Sequence, residues 1–325
     1  MKIGIPTARA AGSAAAAIAA ATVLTIGGSA RANTAAASSA SVTPAASTPL
    51  CTAPAKDAAL AARLSRDITA AMHGRRGHIA VRVEDVRTGV ECRYNEGSRS
   101  HSASVMKVTI LAALLYWHQQ THTSLSSTEK REATLMIEQS DNDAATYLWD
   151  KLGESRVRNF LKAATMTETE LASSGAWGLT EITARDELQL MRLLTEPNSV
   201  LTSSSRAYEL NLMSHVIPYD YWGITAGVPS GLTVYVKNGW LPDPSLWVIN
   251  SIGAIEGHGR DYKMAILTYG NPSEQYGIDT IQAIAEAANR DLNAGLPKAG
   301  TLRAAVTLPP ALQGQPDEVL PAGAR

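Results

Sequence analysis

Three short stretches of this 325-residue sequence hold residue types that could carry nucleophilic chemistry. In "SASVMKVTIL", Ser104 and Lys107 stand three positions apart at the head of an apolar run. A serine hydroxyl is a poor nucleophile until a neighbouring base takes its proton. Positions i and i+3 of a helix share a face, with Cβ atoms about 5 Å apart, so the Lys107 amine can reach the Ser104 hydroxyl. Spacing alone does not decide the matter, because "STEK" sets Ser127 and Lys130 in the same relation. The setting separates the two pairs. Lys107 is followed by Val108, Ile110, Leu111, Leu114 and Leu115, whereas Ser127 and Lys130 open a polar helix. An ordinary lysine, with a pKa of about 10.4, is neutral in about one molecule in 2,500 at pH 7. A depression of about three units, costing about 4 kcal/mol, would make it a working base, and burial beside a second cation can supply that.

The other two stretches are bland when read singly. Ser140-Asp141-Asn142 fits a helix N-cap, and Lys237-Asn238-Gly239 contains the Asn-Gly of a frequent hairpin turn. In order, Ser104-Val105-Met106-Lys107, Ser140-Asp141-Asn142 and Lys237-Asn238-Gly239 resemble the S-x-x-K, S-D-N and K-T-G signature of class A β-lactamases and penicillin-binding proteins. The resemblance runs from about Ala55 to Asn293. It implies a secreted serine hydrolase acting on β-lactam-like cyclic amides, or on cell-wall peptide, through an acyl-enzyme. Two alternatives stay open: a slow-deacylating penicillin-binding or D-Ala-D-Ala peptidase-like protein, and a wall-associated binding protein without turnover.

The resemblance also implies roles. Ser104 is acylated, Lys107 is its base, and Ser140 relays a proton to the leaving nitrogen. Asn142 holds the substrate's side-chain amide, while Lys237 attracts its carboxylate and lowers the proton affinity of Lys107 and Ser140. Asp141 braces the turn. The backbone N–H groups of Ser104 and Trp240, beside Gly239, form the oxyanion hole.

Three departures qualify the match. Ser104 and Ser140 are 36 positions apart (140 minus 104), shorter than in the family, which implies a shortened helical lobe and a more open cleft. Asn238 replaces the family's Thr or Ser, and its amide is expected to donate to substrate in their place. The family's E-x-x-L-N loop, whose glutamate activates the deacylating water, has only "ETELA" as a counterpart, with Glu168 and Glu170 as candidate bases against a reading as solvated surface carboxylates. Beyond it, "SSGAWGLTEIT" offers only Glu181.

Other chemistries fit poorly. His118 and His122 form H-x-x-x-H with Gln119 where a zinc protease has glutamate, so no metal is expected, and no cofactor either. There is no G-x-S-x-G elbow. A net charge of -1 and a pI near 6.7 leave no footprint for nucleic acid or an anionic membrane. A monomer is expected.

The elements that must position these residues follow from periodicity. A helix over "AKDAALAARLSRDITAAMHG", with Leu60, Leu64, Ile68 and Met72 four apart, precedes a hairpin over "HIAVRVEDVRTGVECRYN". Helices follow over "SSTEKREATLMIEQ", "DAATYLWDKLG", "SRVRNFLKAAT" and "ARDELQLMRLLT". Three strands, from Leu232, Ser245 and Tyr262, lead to a last helix over "GIDTIQAIAEAANRDLN". The expected fold is α/β (α+β): one antiparallel sheet of about five strands flanked by helices, with an inserted helical lobe.

At the N-terminus, Lys2 and Arg9, the apolar "AAAAIAAATVLTIGG" and "ARA" ending at Ala32 read as an export signal, residues 1–32. No later apolar run is long enough to span a bilayer. A disordered leader is expected over 33–54, the hydrolase domain over 55–293 and a disordered tail over 294–325. Export to an oxidising compartment, outside the cell or at its envelope, would let Cys51 and Cys92 pair.

Overall fold

The computed structural model describes residues 49–243 and 245–296. The expected signal segment, most of the expected leader and nearly all of the expected tail lie outside the described residues. In chain order the elements are β1 (Cys51–Thr52), α1 (Ala58–Met72), β2 (His78–Asp85), β3 (Val90–Tyr94), β4 (Arg99–His101), α2 (Met106–Gln120), α3 (Ser127–Glu138), α4 (Asn142–Leu152) and α5 (Glu154–Ala163). The second half adds β5 (Glu181–Thr183), α6 (Ala184–Thr195), α7 (Ser203–Met213), β6 (Thr233–Asp243), β7 (Leu246–Gly257), β8 (Arg260–Asn271) and α8 (Glu274–Leu292).

β1, β3, β2, β8, β7 and β6 lie side by side in that order, every pair antiparallel. Among the described residues the sheet thus has six strands where about five were expected, and a separate ribbon joins β4 to β5. Alternation of side chains along each strand divides the core in two. Val81, Val83, Met264 and Ile266 face Leu64 and Ile68 of α1 and Ile278, Ile281 and Ile284 of α8. The opposite face offers Ala80, Ala254, Ala265 and Leu267 to the helical lobe. The small residues on this face leave room for α6, which packs across β2, β7 and β8.

At the centre of the lobe is α2. Every residue from Met106 to Leu115 is buried, as expected of a helix that is apolar all round. Burying each of its Leu and Ile side chains contributes about 1.5–3 kcal/mol. Lys107 is the one charged residue in that stretch, and the same burial takes it out of water.

The expected leader ends early, because Cys51–Thr52 is already a strand. Two residues carry no periodicity that a sequence can show. Cys51 lies opposite Cys92 in the sheet and is bonded to it, and its backbone N–H donates to Ser65 Oγ at 2.8 Å. The bridge closes a loop with a sequence separation of 41. Replacing both cysteines by serine is expected to lower stability by about 2–4 kcal/mol, read as a fall in the urea midpoint with an unchanged rate of reaction at the site.

Candidate active site

Ser104 lies in a 3-10 turn, Ala103–Val105, that runs straight into α2. Ala103 takes φ 46° and Ser140 takes φ 55°. Left-handed backbone at a residue bearing a Cβ costs of the order of 1–3 kcal/mol, and persists where the surroundings over-determine it. Here both residues sit at one cluster of side chains. Lys107 Nζ donates to Ser104 Oγ at 2.6 Å, to the Ser140 carbonyl at 2.6 Å and to Asn142 Oδ1 at 2.7 Å, with Ser140 Oγ at 3.2 Å. Lys237 Nζ donates to Ser140 Oγ at 2.8 Å and to the Asn238 carbonyl at 2.9 Å. The three motifs therefore meet at Ser140, whose hydroxyl bridges two lysines. Ser104, Lys107 and Lys237 are fully buried. Asp141 caps α4, its side chain accepting from the Ala144 N–H at 2.7 Å.

Ser127 and Lys130, the pair with identical spacing, are both exposed. His118 bonds to Thr123 Oγ1 at 2.7 Å and to Glu129 Oε1 at 3.0 Å. Burial pushes Glu129 up, but the Ser126 backbone N–H, His118, the Ser126 hydroxyl and Lys151 outweigh it and hold the carboxyl at about 2. This is an anchored helix start. Among the described residues no group of three or more His, Cys, Asp or Glu could hold a metal ion.

The third motif lies within β6 rather than at its end. Lys237 turns toward Ser140, so strand alternation turns Asn238 the other way. The expectation that Asn238 donates to substrate is therefore corrected. Asn238 is fully buried, and its Nδ2 donates to the carbonyls of Asp220 at 2.7 Å and Trp222 at 3.1 Å. Trp240, on that same far face, packs its ring against Tyr219 and Trp222, leaving only its backbone for the site side. Gly239 touches the nucleophile's turn. A Cβ there would lie 2.8 Å from Ser104 N and 2.9 Å from both Ser102 O and Val105 N, so only glycine lets β6 approach this closely.

Glu168 and Glu170 are not brought to this cluster, which corrects their candidacy as bases. Glu168 pairs with Arg185 and accepts from Thr183 Oγ1 at 2.9 Å. Glu170 pairs with Arg99, and its backbone bridges that of Glu181, which also reaches Arg99. The cause is local. Asp186 Oδ2 accepts from the N–H groups of Glu168 and Thr169 at 2.8 and 2.7 Å, and the extended segment that follows pairs with Glu181.

Trp177, which the sequence offers beside Trp222 and Trp240 as a cleft-lining candidate or a core residue, does line a cleft; what sequence reasoning missed is its contact with Lys107. Its ring lies over Lys107 Nζ, centroid 5.1 Å away, and its Nε1 donates to Thr146 Oγ1 at 3.2 Å. The available signal was a lone tryptophan amid the small and polar residues of "SSGAWGL". Beside it opens a cleft of about 380 Å³, lined by Asn142, Asp143, Thr146, Trp149, Asp150 and residues 174–178. Another, of about 420 Å³, is lined by Arg82, Arg185 and Arg192. Their guanidiniums are held by Glu84, Glu91, Glu96 and Glu168, and it lines none of the Ser104 cluster.

Fold and site together define a class. The architecture is that of class A β-lactamases and of PBP-A. A representative class A β-lactamase from Bacteroides cellulosilyticus superposes with a TM-score of 0.62 at 16% identity, covering 71% of this chain and 97% of that one. A class A β-lactamase from Mycobacterium abscessus gives 0.60 at 22% identity, covering 70% and 99%. PBP-A gives 0.62 at 18% identity, covering 70% and 94%. No curated protein sequence is significantly similar to this one. Residues 63–130 and 119–292 match the model of the beta-lactamase enzyme family, and the chain belongs to that family. Membership supports a serine hydrolase.

Proposed function

We propose that the protein is a secreted serine hydrolase that opens β-lactam-like cyclic amides through an acyl group on Ser104. The observation that carries this reading is the 2.6 Å contact of Lys107 Nζ with Ser104 Oγ, inside a buried cluster that Lys237 completes through Ser140. The step needs a neutral amine at Lys107, and burial beside a second ammonium acts in that direction. Lys107 then takes the Ser104 proton as Oγ attacks the carbonyl carbon. Ser140, between the two lysines, passes a proton to the leaving nitrogen. The Ser104 and Trp240 N–H groups stabilise the oxyanion, an effect worth about 10²–10³-fold per donor elsewhere. Asn142 and Lys237 would hold the substrate's amide and carboxylate.

One observation favours a second reading, in which release of the acyl group is slow. Both candidate glutamates are committed to arginines, with their side chains 30% and 62% exposed. A mutant of PBP-A has been solved as an acyl-enzyme complex with penicillin-G, which is consistent with acylation in this fold. Export is supported by the N-terminal segment and by the Cys51–Cys92 bond.

Intact mass after a penicillin pulse, run beside hydrolysis of a chromogenic cephalosporin, tests both readings. A transient adduct with fast hydrolysis supports the first, and a persistent adduct the second. Ser104→Ala is expected to take up no label; labelling equal to wild type would remove Ser104 as nucleophile. Glu168→Gln and Glu170→Gln are each expected to leave the decay of the adduct within about twofold of wild type, the ordinary range for surface changes. A tenfold slowing in either variant would restore that residue as the base.

A further inference from the structure

The indole of Trp177 stands between the cleft and the reacting pair. Trp177 is among the residues that line the cleft, and its ring lies over Lys107 Nζ with the centroid at 5.1 Å; Asn142, which lines the same cleft, accepts from that amine at 2.7 Å. A water on the line between ring and amine would need about 3.5 Å to the ring carbons and about 2.8 Å to the amine, together more than the 5.1 Å available, so the ring closes that direct approach to the amine. Trp177 is itself nearly buried, although the residues just before it, Ser173 to Gly175, are exposed. Its backbone is pinned to the turn that holds the nucleophile. The Trp177 carbonyl accepts from the Thr180 N–H at 3.1 Å, and the Gly178 carbonyl accepts from Ser102 Oγ at 3.2 Å. Its ring packs in the buried apolar cluster of the helical lobe, and its Nε1 donates to Thr146 Oγ1 on α4.

We propose that Trp177 determines how long the acyl group stays on Ser104, by keeping water from the place beside Lys107 where it would attack. This rests on acylation of Ser104, as argued above, and adds what governs release. In release, a water oxygen bonds to the ester carbonyl carbon and the carbon–Oγ bond breaks. One proton of that water passes to Lys107 Nζ and on to Ser104 Oγ, and the acyl group leaves as a carboxylic acid. Water must reach the neighbourhood of Lys107 for this, and the indole covers the side of the amine that Ser104, Ser140 and Asn142 leave to it. The same side chain forms the inner wall of the cleft, so it also selects which substituents can lie beside the ester.

The test is the lifetime of the penicillin adduct, followed by intact mass in wild type, Trp177→Ala, Trp177→Phe and Thr146→Val. Trp177→Ala is expected to shorten the lifetime at least tenfold, and by a larger factor than any gain in the rate of acylation. Thr146→Val, which frees the ring without removing it, should shorten it by a smaller factor and keeps the test available should the alanine variant not fold. Trp177→Phe should lie near wild type. Hydroxylamine, a small competing nucleophile, should speed decay in Trp177→Ala more than in wild type. A general loosening would slow acylation and release alike and would not split the two rates in this way. An adduct whose lifetime is within threefold of wild type in both Trp177→Ala and Thr146→Val overturns the shield alone. Absence of any Ser104 adduct in all four proteins overturns the acylation reading, and the shield with it.

Discussion

Lys107→Met should cut the rate at which penicillin acylates Ser104 by about 10³-fold, within the range that general base catalysis supplies. Methionine keeps an unbranched stem of the same length inside α2, with sulfur in place of one methylene, and removes the amine. With it go the donor at 2.6 Å from Ser104 Oγ and the acceptor that would take its proton. The change has a structural cost as well, because the Ser140 carbonyl and Asn142 Oδ1 lose their donor, at about 1–3 kcal/mol for a buried group left unpaired. The rate must therefore be expressed per folded molecule, with the fold followed by circular dichroism. Lys237→Met supplies the contrast. It leaves the Lys107–Ser104 contact in place but removes both the second ammonium, which should slow acylation of every substrate, and the charge proposed to attract the carboxylate, so its effect on KM should depend on substrate. A substrate lacking the carboxylate should lose little in KM between wild type and Lys237→Met, and a carboxylated one much more. A Lys107→Met protein that acylates within tenfold of wild type would show that another group takes the Ser104 proton.

How much of the fold and site is legible in the sequence depends on how local each signal is. A lysine among ten buried residues interrupts a continuous apolar run, so the sequence by itself sets Lys107 apart from Lys130. The order of the three motifs adds non-local information that no single spacing contains. Asn238-Gly239 misleads for the opposite reason. The dipeptide favours a turn, but β6 pairs with β7 from Thr233 to Asp243, and the chain reverses between Asp243 and Leu246. Tertiary pairing overrides the local preference. The facing of Asn238 follows from the period of two once Lys237 is known to turn inward, and the sequence does not say which of the two does so. Glu168 and Glu170 look like a catalytic frame in one dimension; the partners that divert them, Arg185 and Arg99, lie 17 and 71 positions away. β4 and β5, three residues each, are too short to show alternation. Helix α8 begins at Glu274, ahead of the Gly277 that periodicity suggests, because its cap, Ser273, precedes a polar first turn.

Helix α7 is a long element that periodicity does not reveal, and the reason bears on stability. Its inward face is made of Ser205, Glu209, Leu212 and Met213, so a glutamate takes a place that an amphipathic stripe would give to an apolar residue. Glu187 holds a similar place on α6. Both side chains are fully buried, and none of their four carboxyl oxygens has a hydrogen-bond partner. Burial pushes both groups well above the ordinary carboxylate range, and the neighbouring Asp186 pushes Glu187 further. The folded protein therefore keeps these protons at pH values where the unfolded chain, titrating near 4.5, has lost them. Binding more protons than the unfolded state makes stability fall as pH rises. The contribution is fully present below about pH 4.5 and is lost progressively as pH climbs through the raised folded values. Glu187→Leu and Glu209→Leu remove both the unpaired polar atoms and the titration. Each is expected to raise stability by about 1–3 kcal/mol at pH 8, and the gain should shrink toward pH 5. Glu187→Gln and Glu209→Gln separate the two causes, since glutamine keeps a buried polar group but cannot ionise. The glutamine variants should flatten the pH dependence while recovering less of the stability than leucine. Urea unfolding at pH 5, 6.5 and 8 measures both effects. Leucine variants no more stable than wild type at pH 8, with an unchanged slope against pH, would mean that water or a partner reaches these carboxylates in solution.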